Sequence, residues 1–121
     1  MAISELPPFA SGFRPSLSTE LCAQGARTVI VLRGEADVST TAVLSDALSR
    51  VIAIDAGDVV IDLAALAFLD SCSGRLFAGF ADLLAHDDRV LTFRSPSRLA
   101  GRVLDLVGLA ALIEAPEQAR R

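Results

Sequence analysis

Along this chain, short unbroken apolar runs alternate with segments in which apolar residues return every three or four positions. RTVIVLRGEADV, starting at Arg27, reads as a strand with a β-branched, apolar centre over 28–32, and Gly34 marks a bend where it should stop. An acidic loop follows. From Thr40 or Thr41 the residues Val43, Leu44, Ala47, Leu48, Val51 and Ile52 fall on one face of a helix, with Ser39, Thr40 or Thr41 available as its cap. DVVIDLAAL supplies a second strand, and its continuous Val59, Val60 and Ile61 predict a sheet covered on both faces. Beyond Asp70 the period returns to helical at Leu76, Phe77, Phe80, Leu83 and Leu84, and this helix should fray near 86–88. RVLTFRS makes a third strand, broken by Pro96 and Ser97. Leu99, Val103, Leu104 and Val107 then repeat the helical spacing, Gly108 stops it, and 109–113 form a last short strand.

Strand and helix alternate with short connections, the pattern of an α/β domain. Crossovers of one hand would make successive strands parallel and bring the loops 34–40 and 69–74 out along one edge of the sheet, the edge where such domains place their function. At 121 residues and 52% hydrophobic content the chain suits one core rather than two. The expected division is a lead-in over 1–17, rich in Pro, Gly and Ser, a domain over 18–116 and a tail over 117–121.

Charge narrows the partner classes. The net charge is −4 and all eleven basic residues are arginines scattered along the chain, which argues against nucleic acid as a partner. No apolar run reaches the roughly 18 residues needed to span a bilayer, and no basic-then-apolar leader opens the sequence, so a cytoplasmic protein without a membrane partner is expected. Two cysteines, Cys22 and Cys72, lie far apart with one histidine, His86, so neither a metal site nor a cofactor is expected, and both thiols should be reduced.

The polar knot Asp70-Ser71-Cys72-Ser73 at the start of the second helix is the main candidate for chemistry. As a nucleophile, Ser71, Cys72 or Ser73 would need a base within hydrogen-bond reach, and His86 stands some fifteen residues on along the same helix, about 20 Å away. There is no GxSxG elbow and no phosphate-cradling glycine loop, so the chain is not expected to be an enzyme. As a cap, Asp70 or Ser71 would accept from a free N–H of the first turn, worth about 0.5–2 kcal/mol. A serine hydroxyl at such a helix mouth is also open to a modifying enzyme. Phosphate there would add about −1.5 to −2 charges, which a helix N-terminus favours. Cys72 is expected to be a small buried residue, the alternative being an exposed, oxidant-sensing thiol. Arg75 in the first turn is either a partner contact or simply solvated, and His86 a surface residue.

RGEADVST at 33–40, VVIDLAALAFLDSCSG at 59–74 and SPSRLAGRVLDLVGL at 95–109 together resemble the STAS domain of anti-sigma factor antagonists, over about 90 residues. In that family a Gly-Glu-Leu-Asp segment follows an early strand and a Phe-Met-Asp-Ser-Ser-Gly segment opens the second helix. Gly34, Glu35 and Asp37 match the first; Phe68, Asp70 and Ser71 match the second. The resemblance implies a central mixed β-sheet with helices packed against it, in a monomer or weak dimer. It also implies that the unmodified protein binds an anti-sigma factor, often a serine kinase, and so frees a sigma factor. That kinase would phosphorylate Ser71, flanked by Asp37 and Asp70, with loss of binding, and a phosphatase would restore it. The partner surface implied comprises Glu35, Asp37, Ser39, Thr40, Asp70, Cys72, Ser73 and Arg75. Two departures stand out in an ungapped alignment: Cys72-Ser73 replaces Ser-Gly, and Gly74-Arg75 replaces an apolar-Gly pair. One inserted residue would instead align Ser73-Gly74 with Ser-Gly and make Ser73 the second choice for the phosphate. The same fold could also serve as an unmodified scaffold, or as a redox-responsive binder through Cys72.

Overall fold

A computed structural model describes residues 16–54 and 57–115. Four strands, β1 (Leu17–Gln24), β2 (Arg27–Ala36), β3 (Val59–Leu69) and β4 (Leu91–Arg94), form one sheet in the order β1-β2-β3-β4. β1 runs antiparallel to β2, while β2, β3 and β4 are mutually parallel. Helices α1 (Thr41–Ala53), α2 (Ser71–His86) and α3 (Arg98–Leu106) follow β2, β3 and β4 in turn. The sheet is therefore mixed and the fold α/β, with three helices packed against it.

β1 is a strand that the apolar pattern does not predict, and Leu17, expected in the lead-in, is its first residue. Its pattern is strand-like but faint, because the inward positions Leu17, Thr19, Leu21 and Ala23 include a Thr and an Ala. A two-residue turn at Gly25-Ala26, with Gly25 at φ +62°, closes the hairpin. Residues 1–15 and the expected tail at 117–121 lie outside the described residues.

β2 does not stop at Gly34. It passes through this glycine at φ +107°, where a Cβ would collide with the Ser16 carbonyl oxygen, and continues to Ala36. Ser16 is fastened there from both sides: its carbonyl accepts from the Glu35 N–H at 2.8 Å, and its own N–H donates to Glu35 Oε1 at 3.1 Å.

All three helices lie over one face, where they share a single core with Ile30, Leu32, Val59, Ile61, Phe77, Phe93 and Leu104. The expectation of a sheet covered on both faces is thus corrected: among the described residues, helices cover one. Val29 and Val60, in register on the far side, are buried, but around them that face carries charged pairs: Arg33 with Glu20 at 3.1 Å, and Glu114 with Arg94 at 3.5 Å. An unbroken apolar run here reflects a central strand, flanked on both sides by other strands. Along α1 the buried stripe is Leu44, Ala47, Leu48 and Val51; Val43 and Ile52, one step to either side of it, are exposed. Leu83 and Leu99 are likewise exposed although their spacing placed them inward.

Gly108, at φ +83°, ends α3 as expected. Its N–H donates to the Asp105 carbonyl and that of Leu109 to the Leu104 carbonyl, so the left-handed residue satisfies two otherwise orphaned helix-end oxygens. Residues 109–113 form a 3-10 turn, Ala110–Leu112, and a single bridge from Ile113 to Phe93 rather than a strand.

The core places its largest load at Phe77 and Phe93, whose ring centroids stand 5.3 Å apart. Leu84 is completely enclosed nearby in the sheet-facing stripe of α2, whereas Leu106 is 80% exposed. Leu84→Ala should cost about 2–5 kcal/mol in urea-induced unfolding and Leu106→Ala less than about 0.5 kcal/mol; similar losses at the two sites would contradict the packing described.

Candidate functional site

β3 contains two bulges. Its pairing with β2 moves from Val31↔Asp62 to Arg33↔Ala65 and from Gly34↔Leu66 to Glu35↔Phe68, so β3 spends one extra residue at each step. This explains why the inward residues Leu63, Leu66 and Leu69 are three apart rather than two. The first bulge is held by Asp62, whose Oδ1 accepts from the Ala64 N–H at 3.0 Å. After both bulges Ala36 and Leu69 end level, and the Asp70 N–H donates to the Ala36 carbonyl at 3.0 Å. The chain therefore turns into Asp37 on one strand and Asp70 on the next at the same height.

Each aspartate caps the helical turn that comes after it. Asp37 Oδ1 accepts from the Ser39 N–H at 2.9 Å and from the Ser39 hydroxyl at 2.6 Å. Thr40 Oγ1 accepts from the Asp37 N–H at 2.9 Å and donates to the Glu35 carbonyl at 2.9 Å, closing the 3-10 turn Val38–Thr40 that leads into α1. On the second strand Asp70 Oδ1 accepts from the Ser73 N–H at 2.8 Å, so the cap of α2 is Asp70 and not Ser71. With Asp70 holding the first turn, the Ser71 side chain is left exposed, with no hydrogen bond to any described residue.

The eight residues of the implied partner surface separate into two groups. Ser39, Cys72 and Arg75 are exposed and Asp37 and Asp70 half-buried, and the two aspartates leave the sheet at the paired ends of β2 and β3. Thr40 and Ser73 are interior, at 4% and 0% exposure, and the Glu35 carboxylate is engaged by Ser16. These three shape the turns rather than face outward. Ser73 is interior because the neighbouring Gly74 lets α2 approach α3: a Cβ there would lie 3.0 Å from Val103 Cγ1. Its hydroxyl has no hydrogen-bond partner among the described residues. The expectation of a buried Cys72 is overturned; it lies on the solvent side of the first turn, while the buried position passes to Ser73. His86 is exposed in the last turn of α2, with Nδ1 2.8 Å from the Asp82 carbonyl oxygen and a full helix away from Ser71.

Pattern reading also missed a groove. It runs between α1 and α2 from Thr41 and Cys72 to Ile52 and Leu83, in two adjoining sections of about 560 and 430 Å³ that share Ser45, Arg75 and Leu76. Small residues on both helices hold it open, Ala42, Ser45 and Ser49 on α1 and Gly79 on α2. Their spacing of three and four was the available signal.

Thr40→Val should cost about 1–3 kcal/mol, since it leaves the Asp37 N–H without its acceptor. Ser73→Ala, which removes an unpaired buried hydroxyl, should be neutral or stabilising by up to about 1 kcal/mol. Thermal unfolding of both variants checks this, and a strongly destabilised Ser73→Ala would mean that the hydroxyl has a partner.

Among solved structures, an anti-sigma factor antagonist from Mycobacterium paratuberculosis superimposes with a TM-score of 0.72 at 22% identity, over 86% of this chain and 90% of that one. The anti-sigma factor antagonist SpoIIAA in its unphosphorylated form gives 0.70 at 21% identity, over 85% and 92%. The Bacillus cell fate determinant SpoIIAA in its phosphorylated form gives 0.66 at 23% identity, over 85% and 96%. At these identities the likeness is one of fold. No curated protein sequence matches significantly. The family model described as Mlab, STAS domain, matches residues 20–114, nearly the whole of the described sheet and helices, and the chain therefore belongs to the STAS domain family.

Proposed function

We propose that this protein is an anti-sigma factor antagonist, a non-enzymatic cytoplasmic binding protein controlled at Ser71. The observation that carries the reading is the exposed Ser71 hydroxyl at the first turn of a helix already capped by Asp70, on the edge where Asp37 and Asp70 emerge level. Support comes also from STAS neighbours described as anti-sigma factor antagonists, one of them in both an unphosphorylated and a phosphorylated form. Unmodified, the edge binds an anti-sigma factor that is itself a serine kinase, and the sigma factor is released. The kinase transfers the γ-phosphoryl group of ATP to Ser71 Oγ; ADP leaves and the hydroxyl proton is lost to solvent. A phosphatase returns the serine by hydrolysis to inorganic phosphate.

The physics of the off state comes from the site. A phosphoryl group brings about −1.5 to −2 charges to an edge that already holds two carboxylates, and the α2 N-terminus and its N–H groups tolerate it there without unfolding the helix. The surface changes while the fold persists. Ser73 is the poorer acceptor, because its buried hydroxyl could reach a kinase only if the α2–α3 contact opened.

A second reading is favoured by the exposure of Cys72 next to Ser71. Peroxide would transfer one oxygen to the thiolate, giving a sulfenic acid and hydroxide, and so alter the same edge. Mild peroxide should then abolish partner binding in the parent chain but not in Cys72→Ser.

The phosphorylation reading is tested by incubation with the cognate kinase and ATP followed by peptide mass spectrometry. Phosphate is expected on Ser71, none on Ser73, and none on the Ser71→Ala chain. Ser71→Asp should weaken partner binding about tenfold or more, with Ser71→Ala unchanged. Phosphate at another residue, or none, would overturn the assignment.

A further inference from the structure

Among the residues that line the groove between α1 and α2, one carries a charge. Arg75 lies where the two sections meet, between a mouth at Cys72 and walls of Leu48, Ile52, Leu76, Phe80 and Leu83. It is exposed and forms no ion pair with any described residue. An apolar groove with one unpaired cation matches a segment bearing one carboxylate among apolar side chains. From Cys72 to Leu83 the groove extends about 16 Å along α2, room for some three helical turns.

Ser71 lies four residues before Arg75, one turn away on the same side of α2. Helical side chains lean toward the N-terminus, which brings the guanidinium within reach of a group on the Ser71 turn. An anion at the earlier position and a cation at the later one is also the favourable order for such a pair. Resting on the reading of Ser71 as the modified serine, we infer that Arg75 is the pivot of the switch. In the unmodified chain it receives a carboxylate of the anti-sigma partner, on a segment whose apolar side chains fill the groove. After phosphorylation the Ser71 phosphoryl group takes Arg75 for itself and repels the partner's carboxylate. The negative modification opposes binding because the partner presents a negative group at this point.

The intramolecular half can be tested without kinase or partner, using the full chain with phosphoserine installed at position 71 during synthesis. Phosphorus NMR should give a second phosphate ionisation about 0.3 pH unit lower with Arg75 than in Arg75→Gln, because the pair favours the dianion. The gap should shrink in 1 M salt. Identical midpoints would overturn the pairing, whatever a kinase does to Ser71. The intermolecular half uses the anti-sigma kinase of the phosphorylation assay. Arg75→Gln should weaken its binding to the unmodified chain about tenfold, and Ser71→Asp should cost less in the Arg75→Gln background than in the parent. Unchanged binding in Arg75→Gln, or strictly additive losses, would refute the role of Arg75. Absence of phosphate on Ser71 in the kinase assay would instead refute the assignment of the modified serine and leave the NMR result standing.

Discussion

One backbone hydrogen bond organises the site: the Asp70 N–H to the Ala36 carbonyl, which ties the ends of β2 and β3 together. It can form only because β3 carries two bulges, each adding a residue that β2 does not match. Without them the end of β3 would fall two residues out of step with Ala36, and Asp70 would emerge at a different height; the first bulge reverses the alternation of faces and the second restores it. With them, two aspartates leave the sheet level, and each caps the turn that begins a helix. The sheet thereby sets the starting points of α1 and α2, and the groove between these helices is a consequence of where they start.

The division of labour within the polar knot is also set by that geometry. Asp70 and the buried Ser73 hold the first turn of α2, and Gly74 brings that turn against α3. Ser71, Cys72 and Arg75 then fall on the outer side, where neither the core nor the cap constrains them. A serine in this position can gain a doubly charged group at small structural cost, because the helix N-terminus favours the charge and no packed neighbour has to move. Under the proposed switch such a change would be confined to the exposed side of the first turn of α2.

Much of the fold was legible in the apolar period. The three helices, the three parallel strands and the stop at Gly108 follow from spacing and from one glycine. β1 was not legible, because its inward positions are occupied partly by Thr and Ala and give a weak alternation. The covering of both faces inferred from Val59, Val60 and Ile61 was an error of cause: a central strand can be apolar on both sides while one face of the sheet bears charges. At the site, the sequence put the loops 34–40 and 69–74 on one edge and ranked Ser71 ahead of Ser73 by motif alone, but it placed Cys72 inside, where the structure places Ser73. Their burial depends on the approach of α3 to Gly74, a contact between segments some thirty residues apart. The groove was hidden for the same reason, since small residues on α1 and α2 acquire meaning only once the two helices lie side by side.

The central claim is that a charge placed on Ser71 turns off a partner surface without disturbing the fold. It is tested most directly by isothermal titration of the anti-sigma factor with two preparations of the full chain, one unmodified and one carrying phosphoserine at 71, matched for thermal stability. The account predicts tight binding by the first and an affinity at least about tenfold weaker for the second, a difference of about 1.4 kcal/mol. Equal affinities with both preparations folded would contradict it.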